Sequence, residues 1–226
     1  MKNVLITGAA GNLGQAVVEK FMKEGFKVLA TVDTKEEHHL DAGIQTYAVD
    51  LMNESHVNET IAKVISENKT IDAALLLVGG YAGGNIDETD GTTLRKMMSL
   101  NFETAYFVAR PVFQQMVKQG GGRIIFVASK TALVAEQGKN NVAYALSKFL
   151  LTKLAELLNA EGASKNVVCS VVAPSVIDTG TNRKSMPKAD FSKWVKPEDI
   201  AESMYFLASE QGSILRDPIL KVYGGS

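Results

Sequence analysis

Short apolar runs alternate with amphipathic stretches along this 226-residue chain. The runs are near-continuous blocks of Val, Ile, Leu and Ala, as expected of strands that are buried on both faces. We predict strands at 3–7, 27–32, 44–49, 71–78, 123–128, 167–173 and 218–222, and helices at 14–24, 54–68, 92–118, 141–162 and 197–209. This order predicts βαβ units and an α/β fold, with one open, doubly wound parallel sheet and helices on both of its faces.

Length and composition indicate a single ordinary domain over residues 1–226. The 24 basic residues form no stripe and the net charge is -1, so we expect no nucleic-acid partner. No apolar run approaches the roughly 18 residues that span a bilayer, and no signal peptide is evident, so we expect no membrane and a cytoplasmic location. The single cysteine, Cys169, lies in an apolar run, where we expect a buried thiol. We assign no metal site.

A glycine-rich turn (residues 7–14, the glycine turn) follows the first predicted strand and opens the first predicted helix. That context is the one a dinucleotide-binding fingerprint requires, in a Rossmann-type fold. Gly8 would permit a tight turn, Gly11 would let a pyrophosphate approach the backbone, and Gly14 would let the helix pack on the strand. The helix N-terminus would supply N–H groups to the phosphates. The residues assigned to the cofactor here are Gly8, Ala10, Gly11, Asn12, Leu13 and Gly14.

An acidic residue ends the second predicted strand. Asp33 lies about 20 residues beyond the glycine turn, where a carboxylate bonds the adenosine ribose hydroxyls. Because it repels a 2′-phosphate, we expect NADH or NAD as cofactor, with NADPH less favoured. Lys35 is first interpreted as a solvated surface lysine, and the alternative is that it softens that repulsion. Asp50 and Leu51, after the third predicted strand, are candidates for the adenine contact, and a plain turn aspartate is the alternative there.

A tyrosine and a lysine four residues apart share one face of the helix predicted over 141–162. A neighbouring ammonium favours the phenolate, so Lys148 is expected to lower the pKa of Tyr144 from its usual value of about 10. Tyr144 then becomes a candidate proton donor to a substrate carbonyl or imine. Such pairs also occur on solvated helices, but together with the glycine turn this pair indicates a dehydrogenase.

Two further polar positions join the candidate site. Asn101 lies among apolar residues of the helix predicted over 92–118, where asparagine is unfavourable and indicates a local kink or a proton relay. Ser129 follows the fifth predicted strand, where it could bond the substrate or simply cap a loop. Thr131 is a second candidate for this orienting hydroxyl.

Two loops fall at the carboxyl ends of the strands, where ligands bind in such sheets. One covers residues 79–85 (the β4 loop) and the other covers residues 175–196 (the lid segment). A long connection in a compact domain is typical of a lid over a site. Tyr81 and Trp194 offer aromatic surfaces to a substrate, and ordinary loop packing is the alternative for each.

These motifs resemble the short-chain dehydrogenase/reductase family over essentially the whole chain. The resemblance implies that Tyr144 is the acid/base and that Lys148 lowers its pKa and binds the nicotinamide ribose. It also implies that Ser129 orients the substrate and that Asn101 anchors a water in the proton relay.

The same resemblance extends the set of cofactor residues. Residues 173–179 resemble the stretch that holds the nicotinamide carboxamide, with Pro-Ser at 174–175 in place of the usual Pro-Gly. Residues 78–80 read Val-Gly-Gly where the family usually has Asn-Ala-Gly. The positions added to the cofactor site are Gly79, Gly80, Pro174, Ile177 and Thr179.

Within the family the chain is similar to the dihydropteridine reductases. The β4 loop reads Gly-Gly-Tyr-Ala-Gly-Gly-Asn beside their Gly-Gly-Trp-Ala-Gly-Gly-Asn, and residues 182–194 match at nearly every position. This likeness implies NADH-dependent reduction of a quinonoid dihydropterin or a similar flat conjugated heterocycle. The animal dihydropteridine reductases lack the serine that corresponds to Ser129. The complete set of Asn101, Ser129, Tyr144 and Lys148 therefore also suits a short-chain alcohol dehydrogenase or carbonyl reductase. An NAD(H)-sensing regulatory protein is the alternative of another class.

The family resemblance also implies a homodimer or homotetramer. The apolar helices predicted over 92–118 and 141–162 are expected to form a four-helix interface with a twofold mate. The candidates for that interface are Met97, Met98, Phe102, Phe107, Phe149 and Leu150, and we expect some of them to face the sheet instead.

Overall fold

The computed structural model describes residues 1–35, 40–41 and 43–225, and seven parallel strands form one sheet. The strands are β1 (Asn3–Thr7), β2 (Lys27–Val32), β3 (Gln45–Ala48), β4 (Ala73–Leu76), β5 (Gly122–Val127), β6 (Val167–Pro174) and β7 (Ile219–Val222). Their order across the sheet is β3-β2-β1-β4-β5-β6-β7. The direction of winding reverses between β1 and β4, and a crevice opens there at the carboxyl ends of the strands. The predicted α/β fold is confirmed.

Helices cover both faces of this sheet. They are α1 (Asn12–Lys23), α2 (Glu54–Asn68), α3 (Gly91–Met98), α4 (Thr104–Gln119), α5 (Lys130–Leu133), α6 (Ala135–Gly138), α7 (Val142–Gly162), α8 (Gly180–Ser185) and α9 (Pro197–Ala208). The short helices α5, α6 and α8 were not predicted. Across the described residues, no helix is long and apolar enough to cross a membrane.

The core consists of two apolar layers, one on each face of the sheet. Strand residues alternate between them: Leu5 packs with α2, α4 and α7, whereas Val4 and Ile6 pack with α1 and α9. Each fully buried large aliphatic or aromatic side chain stabilises the fold by about 1.5–3 kcal/mol. Cys169 is fully buried in the first layer, as predicted. The sheet is therefore a rigid platform on which its carboxyl-end loops are placed.

The helix predicted over 92–118 is interrupted near its middle. A π-helical turn (Ser99–Glu103) separates α3 from α4. Asn101 lies in this turn and is fully buried. The local interruption expected at this asparagine is therefore present as a π-helical turn, a feature that kinks helices.

The lid segment, predicted as a polar connection, contains regular structure. It holds α8 and a 3₁₀ turn (Phe191–Lys193). The Thr179 hydroxyl caps α8 by accepting from the Asn182 N–H at 3.1 Å. A β-bridge between Ile177 and Val195 brings the two ends of the segment together.

Candidate active site

The glycine turn is held by close backbone packing between β1 and α1. Gly8 has a φ of +67°, a conformation that favours glycine, and its carbonyl accepts from the Gly11 N–H at 3.0 Å. A Cβ at position 14 would lie 2.2 Å from the Gly8 carbonyl oxygen and 2.7 Å from that of Ala9. Glycine is therefore the one residue type at position 14 that lets α1 approach β1 this closely.

A cavity of about 560 Å³ opens beside this turn, at the point where the sheet reverses. The predicted cofactor residues that line it are Gly8, Ala10, Gly11, Asp33, Asp50, Leu51 and Gly79. Asn12, Leu13 and Gly14 form the first turn of α1 instead, and Gly80 follows β4. Pro174, Ile177 and Thr179 lie at the end of the sheet's sixth strand and beyond it, outside the lining of this cavity.

The two aspartates at the outer end of the cavity each close a turn. The Asp33 carboxylate accepts from the Lys35 N–H at 2.8 Å, and both residues line the cavity. The Asp50 carboxylate accepts from the Met52 N–H at 3.0 Å. Asp50 thus has the turn-forming bond of the alternative interpretation and also faces the cavity, so the two interpretations are compatible.

The backbone after β4 lies against two buried polar side chains. A Cβ at position 79 would lie 2.5 Å from Asn101 Oδ1 and 2.8 Å from Lys148 Nζ. The Gly80 N–H donates to Asn101 Oδ1 at 2.8 Å. The Gly-Gly sequence, a departure from the usual Asn-Ala-Gly, therefore gives the two side chains room to meet the backbone.

Asn101 joins this loop to α7. Its amide Nδ2 donates to the Ser147 hydroxyl at 2.9 Å and contacts Met97 Sδ at 3.7 Å. Ser147 in turn donates to the Tyr144 carbonyl at 2.8 Å. Sequence reasoning missed Ser147, because a serine in a helix carries no signal of its own until the fold brings Asn101 beside it.

Lys148 is buried at the end of β5, with 5% of its surface exposed. Its ammonium donates to the Val127 carbonyl at 2.9 Å. Burial disfavours the charged form and lowers the pKa of Lys148 to about 8. The carbonyl of β5 fixes the direction in which this lysine points.

Tyr144 departs from expectation in its titration. Burial raises the pKa of the Tyr144 phenol above its usual value, and a hydrogen bond from the Ser129 hydroxyl opposes that shift. The predicted lowering of this pKa by Lys148 is therefore wrong for the structure described. The reason is that the phenol is itself desolvated, while the lysine ammonium is directed at the Val127 carbonyl.

The choice between the two orienting hydroxyls favours Ser129. It hydrogen-bonds the Tyr144 phenol, and its hydroxyl lies 3.0 Å from that of Thr131. Ser129 also caps α5 by accepting from the Thr131 N–H at 3.3 Å. The candidate orienting hydroxyl and the capping serine of the alternative interpretation are thus the same side chain.

Comparison with known proteins agrees with this geometry. The family model described as short chain dehydrogenase matches residues 2–190. The chain belongs to this family. It is 26% identical over 244 aligned residues to an acetoacetyl-CoA reductase of Acinetobacter sp. (strain RA3849), covering 99% of this chain and 97% of that protein. It is 25% identical over 207 residues to a dihydropteridine reductase of Dictyostelium discoideum, covering 90% and 86%.

A solved structure described as "ElxO with NADP Bound" has the same fold. It superposes with a TM-score of 0.90 at 27% identity, covering 99% of this chain and 98% of that one. Family membership makes this chain an oxidoreductase of the short-chain type.

In this short-chain dehydrogenase, the β4 loop brings a second aromatic ring to the tyrosine. The Tyr81 ring meets the Tyr144 ring edge to face, with centroids 5.1 Å apart, and Tyr81 is 66% exposed. The loop is held against the start of α7, where the Gly84 carbonyl accepts from the Val142 N–H at 2.9 Å. Tyr81 therefore forms an aromatic wall beside the candidate proton donor.

Trp194 lies in a different aromatic cluster, within the lid segment. Its ring packs against Phe191 at a centroid distance of 4.7 Å, and Arg183 stacks over Phe191. Arg183 also forms a bidentate ion pair with Asp178, at 2.6 and 2.7 Å. The structure thus unites Tyr81 with Tyr144, while a contact of Trp194 with the substrate stays a prediction.

Proposed function

We propose that this chain is an NADH-dependent reductase of a quinonoid dihydropterin or a similar flat conjugated heterocycle. The observation that carries this proposal is the exposed Tyr81 ring held edge to face against the Tyr144 phenol. A planar substrate can lie on such a wall with an acceptor atom next to the phenol. The dihydropteridine reductase among its relatives supports the same substrate class.

The cavity beside the glycine turn fits a dinucleotide. The left-handed Gly8, the open backbone at Gly11 and the N-terminus of the 12-residue helix α1 provide the cradle for a diphosphate. Asp33 at the outer end suits ribose hydroxyls and opposes a 2′-phosphate, which favours NADH. Lys35 lines the same cavity and is the feature that would admit NADPH. Because the ElxO structure has NADP bound, both cofactors belong in the test.

The bound nicotinamide would supply the hydride, and the side chains of this chain would manage the proton. A raised pKa keeps the Tyr144 phenol protonated at neutral pH, which suits a donor in the reductive direction. The Ser129 hydroxyl has a single proton, which it donates to the phenol and would turn toward the acceptor atom of a bound substrate. Lys148 holds its ammonium at the end of β5, where it would meet the nicotinamide ribose.

A second candidate function is reduction of a ketone or aldehyde. The Ser129 contact with Tyr144 favours it, because a hydroxyl pair of this kind can bind any carbonyl oxygen. The acetoacetyl-CoA reductase among the relatives acts in that class by its name. A purely regulatory NAD(H) sensor has less support, since Tyr144, Lys148 and Ser129 are all present and assembled.

The assembly we propose is a homodimer or homotetramer through α4 and α7. Tyr106, Leu146, Phe149 and Leu157 are large apolar or aromatic side chains exposed on these helices. Of the predicted interface residues, Phe149 is exposed, whereas Met97 is 1% exposed and contacts Asn101. Met97 is therefore removed from the interface set.

The test is a side-by-side panel of hydride acceptors with both reduced cofactors. The panel contains a quinonoid dihydropterin, an ortho-quinone, an aldehyde and an aliphatic ketone, and the loss of NADH or NADPH absorbance gives kcat/KM for each. We expect the highest kcat/KM with the dihydropterin and NADH. In the matched variant Asp33→Ala, the preference for NADH over NADPH should narrow.

Efficient ketone or aldehyde reduction without any pterin turnover would overturn the substrate assignment and favour the second candidate. A wild-type protein that binds NADPH more tightly than NADH would overturn the role given to Asp33. Absence of turnover with all four acceptors, despite tight nucleotide binding, would favour the regulatory alternative.

A further inference from the structure

A series of three hydrogen bonds runs from the β4 loop to α7; the middle bond is fully buried and the two outer bonds are partly buried. It begins at the Gly80 N–H, passes through the side chains of Asn101 and Ser147, and ends at the Tyr144 carbonyl. Asn101 and Ser147 each have 0% of their surface exposed. In so dry a place the hydrogen bonds are stronger than in water, and a broken one leaves a polar group without a partner.

The direction of this chain is determined by its two ends. A backbone N–H can only donate and a backbone carbonyl can only accept, so the amide oxygen of Asn101 must face Gly80 and its amide nitrogen must face Ser147. The Ser147 proton is used on the Tyr144 carbonyl, which leaves a lone pair for Asn101. Only an asparagine-type amide followed by a hydroxyl satisfies every link.

Asn101 therefore depends on Ser147 for its orientation. Its oxygen lies beside Gly79, close to the place where a Cβ would stand, and Lys148 Nζ approaches the same place. A rotated amide would place an N–H against the Gly80 N–H and displace the loop that presents Tyr81 to Tyr144.

We propose that Ser147 is a positioning residue for the reaction. It acts through Asn101 to hold the β4 loop at a fixed distance from α7, the helix that carries Tyr144 and Lys148. The inference rests on the proposed reductase function for its kinetic test, and a second test needs no turnover. The substrate and the reacting atoms are not touched by Ser147 itself.

The matched control is Thr152, five residues further along α7. Like Ser147 it is a buried helical hydroxyl, and it donates to the carbonyl three residues earlier, that of Phe149, at 2.6 Å. It differs in having no part in the series of hydrogen bonds that contains Asn101. Thr152→Ala thus reports the effect of deleting a buried hydroxyl from this helix.

The first test measures the rate of amide hydrogen exchange at Gly80 by NMR, with the whole protein. In Ser147→Ala the Gly80 N–H should exchange about tenfold faster or more, because its acceptor is no longer held in place. In Thr152→Ala its exchange should match the wild type. Unchanged Gly80 exchange in folded Ser147→Ala would overturn the proposal.

The second test is a double-mutant cycle of Ser147→Ala with Asn101→Ala, assayed with the quinonoid dihydropterin and, in parallel, with the ortho-quinone. We expect Ser147→Ala to lower kcat by about tenfold to a hundredfold, the size of a small misplacement of reacting groups. KM for NADH should stay within about twofold, since the glycine turn is untouched. The double variant should be no slower than Asn101→Ala alone.

Additive losses in that cycle would overturn the proposal, because a merely structural serine would act independently of Asn101. If Ser147→Ala fails to fold, Ser147→Cys keeps the volume with a weaker acceptor and enters the same cycle, where additive losses would again overturn the proposal. A wild type without pterin turnover would contradict the proposed function alone, and the exchange test would still decide the role of Ser147.

Discussion

The two ends of the candidate site are built in different ways. The glycine turn is fixed by backbone against backbone, with no room for a Cβ between Gly14 and the Gly8 carbonyl. The lid segment is held by side-chain pairs at the surface, such as Arg183 with Asp178, and by backbone hydrogen bonds near its two ends. Gly180, at the start of α8, has no atom within 4 Å of the place where a Cβ would stand.

This difference indicates that the two regions have different roles, one in binding the cofactor and one in selecting the substrate. A backbone-built cradle offers the same groups whatever the surface residues are, which suits a cofactor shared by a whole family. A segment held by surface pairs, each worth about 0.2–1 kcal/mol, can change its shape and sequence at little cost in stability. Substrate choice is therefore expected to reside in the lid segment and the β4 loop.

The largest effect is expected at Tyr144, which lies beside the β4 loop. Tyr144→Phe removes the proton donor and should lower kcat by about two to four orders of magnitude, the usual size of an acid–base contribution. NADH affinity, measured by fluorescence titration, should stay close to wild type, because the phenol lies outside the lining of the nucleotide cavity. A variant that reduces every accepted acceptor at the parental rate would show that another group supplies the proton.

The next effect compares one glycine from each region. Gly14→Ala forces a methyl to within 2.2 Å of a backbone oxygen, and we expect it to lower the free energy of unfolding by about 3 kcal/mol and to abolish NADH binding. Gly180→Ala meets open space, and we expect a change within about 0.5 kcal/mol. Chemical denaturation of both variants makes the comparison. Equal effects would contradict the contrast between the two ends.

A smaller effect concerns the buried ammonium of Lys148. Its folded pKa of about 8 lies below the value in the unfolded chain, so the charged form destabilises the fold below pH 8. That penalty fades as the pH rises from about 8 to about 10.5, where the lysine is neutral in both states. Lys148→Met should therefore be more stable than wild type by about 1–3 kcal/mol at pH 7.

The gain from Lys148→Met should shrink as denaturation is repeated at higher pH, and it should be accompanied by loss of turnover. A stability difference that stays constant between pH 7 and pH 10 would show that burial of the lysine carries no desolvation penalty. Lys153→Met, at an exposed position on the same helix, is the control and should show no such trend.

The sequence predicted the regions whose structure follows from local patterns. All seven strands of the described sheet and the glycine turn were predicted. Buried parallel strands appear in a sequence as continuous apolar runs, and a strand–helix junction that binds a dinucleotide appears as spaced glycines. Asp33 was likewise placed at the cavity from its distance along the chain, whereas the position of Lys35 in the same lining was not predicted.

Features that depend on contacts between distant segments were not predictable in this way. The pKa of Tyr144 follows mainly from its burial, and the Lys148 ammonium is directed toward Val127; neither feature has a local signal in the sequence. The link of Asn101 to Ser147 joins positions 46 residues apart. The Ile177–Val195 bridge in the lid segment joins positions 18 residues apart, and no local pattern in the sequence indicates it.

The most direct test of the division between cofactor end and substrate end is NADH binding to a chain with a shortened lid. Because Ile177 and Val195 are bridged, residues 182–194 can be replaced by a linker of about four glycine and serine residues with the ends left in place. Fluorescence titration should give an NADH Kd within about twofold of wild type, while turnover of the dihydropterin is lost or its KM rises at least about tenfold. A folded variant that no longer binds NADH, or one that keeps full activity, would contradict the account.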